Sequence, residues 1–253
     1  MTQSLLQDFL QGRNQSQASP TIFYQLQGWR PEMHIVLIIL KQKNNVPDIY
    51  RYYLSALQNY FPDGLFFIHS LSDEAQDQEI ICCMPEELLR EAGGGKRFGL
   101  QVSETMQKIA DMLHLDCHCS YAFPGIENIR LQYAQARTCL SLDKRHYYEC
   151  GLKDLASLDR STDYRRLALH PVLNRILEYD RQKNTSFYHI LKIYLRCERN
   201  RVLTAQKLFM HKNTLVYRLE RITTLFGLNL DDPYEREYLL LSFRCLEPTR
   251  NFE

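Results

Sequence analysis

The chain has 253 residues, 45% of them hydrophobic and 24% charged, with a formal net charge of +1. That length suits two domains better than one, and the composition excludes a disordered or fibrous chain. Near-neutral charge excludes a partner chosen by overall charge, so any binding of a polyanion must rest on cations gathered locally. The eight cysteines follow no framework spacing, and a chain this long needs no covalent staples, so reduced thiols are expected. The opening MTQSLLQDFLQGR lacks the basic start of a secretory signal and carries Asp8 within its apolar stretch. The run Ile35 to Leu40 is too short to span a bilayer. The expectation is a cytoplasmic protein without a membrane partner.

Leu5, Leu6, Phe9 and Leu10 stand at helical spacing in residues 4–11, followed by a polar break at 13–20. This stripe, with nothing before it to pack on, points to a missing upstream element or a dimer contact. From Met33 the pattern is mixed α/β. Residues 34–40 (HIVLIIL) read as a buried strand, and 47–61 as a helix with Ile49, Tyr53, Leu54, Leu57 and Phe61 on one side. Residues 64–72 and 79–85 read as two strands around the polar loop DEAQDQ. A helix is expected over 102–115 with Ser103 as N-cap, a strand over 117–123, and a helix over 128–142 started by Asn128. This order of strand, helix, strand, strand, helix, strand, helix is the ferredoxin-like, split βαβ arrangement.

After Gly151 the strand signals stop. Helices are expected at 170–182 with Pro171 in the first turn, and at 185–197, 204–209 and 213–227. A last helix starts at 232–235, where Asp232 caps, Pro233 fits the first turn and Glu235 closes a capping box. The fold class is therefore α+β, a ferredoxin-like α/β domain followed by an all-α domain. The divisions are a linker helix at 1–19, the α/β domain at 20–155 and the helical domain at 156–253. Leu173, Ile176 and Leu177 make a second candidate dimer surface.

Residues 201–227 carry the chemistry. Leu203, Ala205, Leu208 and Met210 can bury against Leu215, Leu219 and Ile222, whose i, i+4, i+7 spacing makes one inward stripe. Only a tight turn fits between Leu208 and Lys212. Two short helices so joined form a helix-turn-helix, whose second helix can enter a major groove about 12 Å wide. Its outer side carries Lys212, Asn213, Val216, Tyr217 and Glu220, flanked by Thr214, Arg218 and Arg221. Asn pairs bidentately with adenine, Lys reaches guanine, and apolar groups meet a thymine methyl. Helix N-terminal amides, Thr214 and the two arginines suit phosphates. With His211, Arg201 and Lys207 these are the candidate contacts to double-stranded DNA. From Arg196 to Arg221 seven basic residues face two acidic ones, a local net charge of +5. Phe209 stands where a turn of this kind usually has Gly, which suggests a slightly different turn.

The string HKNTLVYRLERI (211–222), followed by FGLNLDDP (226–233), resembles the C-terminal helix-turn-helix of the PucR/CdaR family, bacterial regulators of purine catabolism and sugar-diacid use. The resemblance runs from about Phe187 to Leu246. The α/β half is similar, more weakly, to the degenerate GGDEF-like domain that precedes this module in the family, through Phe123-Pro124-Gly125 and the following IENIRLQYAQA. SLLQDFLQG (4–12) resembles the helix leading into that domain. Relatives usually carry a sensory domain further upstream, and the resemblance leaves open whether one belongs here. It implies a transcription regulator of a metabolic operon, dimeric on DNA, with no cofactor and an unidentified small-molecule effector.

A diguanylate cyclase needs a Gly-Gly-Asp/Glu-Glu-Phe hairpin and a first-strand aspartate. The hairpin SLSDEAQDQ (70–78) has neither glycine nor phenylalanine, and HIVLIIL has no carboxylate, so no enzymatic activity is expected. Gly93-Gly94-Gly95-Lys96 lacks phosphate-loop spacing. His114, Cys117, His118 and Cys119 are the one metal-like cluster, but on a strand Cys117 and Cys119 share a face while His118 points away, so no metal is expected. Tyr50, Tyr52, Tyr53 and Tyr60 could line a pocket, though packing is the commoner use. A reading of another class is a catalytically inactive cyclase-like sensing or interaction module that binds DNA only weakly.

Overall fold

In the computed structural model the described residues are 2–11, 20–43, 49–70, 78–89, 104–156 and 168–246. The chain divides into two compact units, 1–94 with 99–150, and 95–98 with 151–253.

The first unit is built on an antiparallel sheet. Its strands are β1 (His34–Gln42), β2 (Leu65–Ser70), β3 (Gln78–Pro85), β4 (Leu115–Cys119) and the short β5 (Phe123–Pro124), in the order β2-β3-β1-β4, with β5 also on β1. β3 lies between β1 and β2, pairing Leu37 with Cys83 on one side and Phe66 with Cys82 on the other. The two strands joined by a crossover helix are thus separated by the hairpin strand, the split βαβ order expected from the sequence. β1 is apolar throughout because both its faces are covered. Val36, Ile38 and Leu40 pack beneath α3 (Tyr50–Tyr60) and α4 (Glu104–Met112), with Tyr53, Leu57, Ile109 and Ala110 in the same cluster. Ile35, Leu37 and Ile39 pack on the other side with Leu6 of α1 (Thr2–Gln11), Phe23 of α2 (Pro20–Gln27), and Ile129 and Ala136 of α5 (Ile129–Ser141). Cys82 and Cys83, adjacent on β3, fall in opposite cores as strand alternation requires.

Several local expectations change. The apolar stripe of α1 is not a free surface. Leu6 is fully buried, Leu5, Phe9 and Leu10 pack on the same core, and Gln3 and Gln7 donate to the Phe66 and Ile68 carbonyls of β2. The helix α2 was hidden by its polar neighbours. The expected strand 117–123 is two strands, broken where Ser120 Oγ accepts from Leu37 N and donates to the Tyr121 carbonyl. Asn128 sits at the N-cap of α5 but its side chain makes no capping bond. Ser103, the proposed cap of α4, and Gly93 to Lys96 lie outside the described residues. Tyr50 and Tyr53 are core residues, whereas Tyr52 and Tyr60 are exposed.

Gly125 shows why Phe-Pro-Gly stands where it does. Its φ is +66°, and a Cβ there would collide with the Glu127 carboxylate and the Tyr24 hydroxyl. Those two groups bond each other at 2.9 Å, and Tyr24 Oη accepts from Ile126 N at 2.9 Å. Burial is the main reason the Tyr24 phenol is pushed up to about 12.

The division between the units falls within α6 (Tyr148–Ala156), a helix the sequence reading did not place. The second unit continues with α7 (Val172–Lys183), α8 (Phe187–Arg196), α9 (Arg201–Lys207), α10 (Lys212–Phe226) and α11 (Pro233–Cys245). Leu173 and Ile176 of α7 are buried with Ile190, Leu191, Leu215, Leu219, Ile222 and Phe243, and only Leu177 of the proposed dimer stripe remains partly exposed. Pro171 takes the N-cap position of α7 rather than its first turn. Asp180 joins α7 to α8, since its carboxylate accepts from Phe187 N (2.8 Å), Tyr188 N (2.9 Å) and the Thr185 hydroxyl. Asp232 caps α11 by accepting from Tyr234 N, as expected. The capping box does not close: Glu235 instead accepts from Asn229 N at 3.0 Å and is buried.

Candidate nucleic-acid interface

The helices α9 and α10 are set on α8 by a short connection. Glu198 and Arg199 both take positive φ, and Arg199 anchors the turn by donating to the Leu230 carbonyl and to Asp231 at 2.7 Å. Asn200 caps α9, its side-chain oxygen accepting from Val202 N and Leu203 N at 3.0 Å each. The helix therefore starts at Arg201, earlier than apolar spacing alone suggested. Ala205 is buried where α9 and α10 cross, whereas Leu203 is 40% exposed and takes no part in the core expected for it.

The turn from α9 to α10 closes with two bonds, Phe209 N to the Gln206 carbonyl and Met210 N to the Ala205 carbonyl. This is the Schellman pattern, which demands a left-handed residue one past the cap. Phe209 supplies it with a φ of +50°. The turn is thus the usual left-handed one rather than the altered one expected, with Phe in the place that suits Gly.

At the head of α10 the His211 ring caps the helix, Nδ1 accepting from Asn213 N at 3.2 Å. Its far end stops at Gly227, φ +63°. Leu215, Leu219, Ile222 and Phe226 form the buried stripe. Opposite it, Asn213, Tyr217, Glu220 and Thr224 lie exposed at i, i+4, i+7, i+11. Lys212 and Thr214 are exposed beside the first of these, and Val216 and Arg218 are half-buried on the two flanks. Arg201 and Lys207 are exposed on α9. Among the described residues none of Arg201, Lys207, Lys212 and Arg218 makes an ion pair, so these cations face solvent uncompensated.

Arg221 is placed differently. Its guanidinium donates to the Tyr179 hydroxyl at 3.2 Å and lies 6.0 Å from the centre of the Phe187 ring, which Tyr179 stacks on. That bond raises its pKa, so the charge is permanent but held against α7 and α8. Sequence spacing brings Arg218 and Arg221 to one flank, but it carries no sign of Tyr179, which is 42 residues away along the chain.

The metal-like cluster is dispersed. Cys117 and Cys119 are buried in one core, His118 turns its Nδ1 to the Lys144 carbonyl at 2.7 Å, and His114 is exposed in a turn. Burial raises the Cys117 thiol to about 12, which keeps it protonated and a poor ligand. Glu79, the first carboxylate after the hairpin loop, is fully buried and bound by the Tyr133 hydroxyl at 2.7 Å and Arg137 at 3.1 Å. Among the described residues no helix is long and apolar enough to cross a membrane.

A purine catabolism regulatory protein of Bacillus subtilis (strain 168) is 38% identical over 63 residues, covering 25% of this chain and 12% of that protein. An uncharacterized protein of Haemophilus influenzae is 32% identical over 123 residues, covering 43% of this chain and 32% of that one. The chain thus spans well under half the length of either relative. A solved structure of a regulator of polyketide synthase expression from Bifidobacterium adolescentis covers 96% of both chains at 13% identity, with a TM-score of 0.48. Residues 187–245, which hold the buried stripe, the capped turn and the exposed basic head described above, match the PucR C-terminal helix-turn-helix family and are a domain of that kind.

Proposed function

We propose that this protein is a sequence-specific, DNA-binding transcription regulator of a metabolic operon. The observation that carries the reading is the head of α10. Lys212, Asn213, Thr214 and Tyr217 stand exposed on a helix whose other side is locked into the core, with Arg201, Lys207 and Arg218 around them. Asn213 reads a base edge, Val216 and Tyr217 make the apolar contacts, and Lys212, Thr214, Arg218, Arg201 and Lys207 bind phosphates. His211 and Arg221 act mainly by holding the helix, since the ring of one caps it and the guanidinium of the other ties it to Tyr179. The name of the Bacillus relative supports a catabolic operon as the target.

Residues 20–155 are a degenerate GGDEF-like domain that receives or relays a small-molecule signal without catalysis. Its β1 has no carboxylate, and Glu79 is committed to Arg137 and Tyr133. The protein works in the cytoplasm as a homodimer, because one recognition helix covers only a few base pairs and a specific site needs two heads about one helical turn apart. The test is selection of duplexes from a random pool by the purified protein, followed by sequencing. A repeated motif with two half-sites is expected. No enrichment would refute sequence-specific binding and return the weak-binding sensing module in its place.

A further inference from the structure

The side chain of Phe209 has no role inside its own fold. It is 98% exposed, the most exposed large apolar side chain among the described residues. It belongs to neither the buried nor the partly buried set of the second unit's core, and among the described residues no ring contacts it. Its backbone at the same time occupies the left-handed region, with φ +50°, where a glycine would sit without strain. The fold therefore bears both an exposed phenyl ring and a strained backbone at one residue, and it recovers nothing for either.

Position supplies the missing partner. Phe209 lies between the end of α9 and the cap of α10, three residues before the head of the recognition helix. Lys207, His211 and Lys212 are exposed around it in sequence, and neither lysine has an ion-pair partner among the described residues. An apolar ring within such a rim fits a polyanion that also offers apolar groups, and duplex DNA does so through its deoxyribose and thymine methyls. A second copy presenting the same cations would be repelled.

We propose that Phe209 is a DNA-contact residue, its ring covered by sugar or thymine methyl groups at the edge of the groove that α10 enters. The proposal rests on the DNA-binding reading above and adds a residue that the side-chain chemistry of base readout does not nominate. The residue trades stability of the free protein for contact in the complex, an arrangement common at functional sites.

The experiment compares the full chain with Phe209→Gly and Phe209→Leu on a duplex selected by the wild type, alongside thermal unfolding and sedimentation without DNA. Phe209→Gly should weaken duplex binding by about tenfold, the worth of covering roughly half a phenyl side chain. Its unfolding midpoint should hold or rise by up to about 5 °C as the strain is relieved. Phe209→Leu keeps an apolar side chain and should lose less affinity than the glycine variant. Glycine-variant affinity within twofold of wild type would overturn the proposal, as would a fall in its midpoint, which would make the ring part of the fold. A change in sedimentation of the DNA-free protein would assign the ring to a contact between copies and also overturn it. If the wild type itself selects no duplex, the DNA-binding reading fails first and takes this inference with it.

Discussion

The uncompensated cations at the interface set a salt dependence that can be worked out in advance. Arg201, Lys207, Lys212 and Arg218 are exposed or half-exposed and make no ion pair among the described residues, whereas Arg221 is tied to Tyr179. Each phosphate neutralised on B-DNA releases about 0.9 of a counterion, so one head should give a slope of log affinity against log salt near −3.6, and a pair near −7. Between 50 and 200 mM salt that is a loss of about 150-fold for one head and about 20,000-fold for two. Fluorescence anisotropy of a labelled duplex, titrated at several salt concentrations, reads the slope directly. Lys212→Gln should flatten it by about 0.9 per copy. Arg221→Ala should leave the slope unchanged and lower the thermal midpoint, because it removes a tie between α10 and α7 rather than a phosphate contact. A wild-type slope shallower than about −2 would refute the phosphate count. Equal slope losses from Lys212→Gln and Arg221→Ala would refute the tethered placement of Arg221.

Other predictions probe single interactions. Asn213→Ala should cost about 1–3 kcal/mol of discrimination between the selected site and a mismatched one while leaving the salt slope alone; unchanged site preference in a repeated selection would remove this side chain from the groove. Asp180→Ala strips two backbone N–H groups and the Thr185 hydroxyl of their acceptor. It should destabilise the second unit by about 2 kcal/mol in calorimetry, with Asp180→Asn losing less, and equal midpoints for Ala and wild type would show the cap to be idle. His146 is held neutral chiefly by burial, which lowers it to about 4 from 6.5 against the pull of Glu149. Its folded pKa is depressed, so the unfolded chain takes up the proton first; the stability is complete above pH 6.5 and is lost as pH falls from 6.5 toward 4. Between pH 7.5 and pH 5 the loss should be about 2 kcal/mol, read by denaturant titration through the lone tryptophan, Trp29, buried in the same unit. His146→Gln should flatten that dependence, and a variant as acid-sensitive as wild type would move the cause elsewhere.

Where the sequence was legible, periodicity and local chemistry agreed. HIVLIIL could be read as a two-faced buried strand because no polar residue interrupts it, and both faces are indeed covered. The stripe 215, 219, 222 announced the inward face of α10, and Asp232-Pro233 announced the start of α11. The failures lie where a side chain had two partners within reach and tertiary structure chose between them. Glu235 sits correctly for a capping box, yet the backbone N–H of Asn229 reaches it first. Asn128 has the chemistry of a cap and does not use it, while Asp180, with no cap pattern at all, crowns the helix after its own. Leu203 follows apolar spacing into a helix whose first turn is too exposed to bury it. Arg221 and Phe209 escaped for related reasons: a bond to a residue far along the chain, and a backbone angle that composition does not encode.

The same competition decides what a dimer could use. The sequence offered two apolar stripes for that purpose, and each is consumed within its own unit: Leu6 beneath the sheet, Leu173 and Ile176 in the helical core. The sheet does not offer its edges either. Along β2, the carbonyls of Phe66 and Ile68 accept from Gln3 and Gln7 of α1, so that edge is blunted by side-chain amides rather than left as a template. Beyond β4, Cys119 exchanges bonds with the chain at Arg145 and Tyr147, closing the other side at its end. Strand addition between copies is therefore disfavoured at both edges. The geometric motive for two heads on one duplex is untouched by this, since it comes from the few base pairs that a single recognition helix can read. A pair of these chains on DNA must consequently be held by side-chain surfaces.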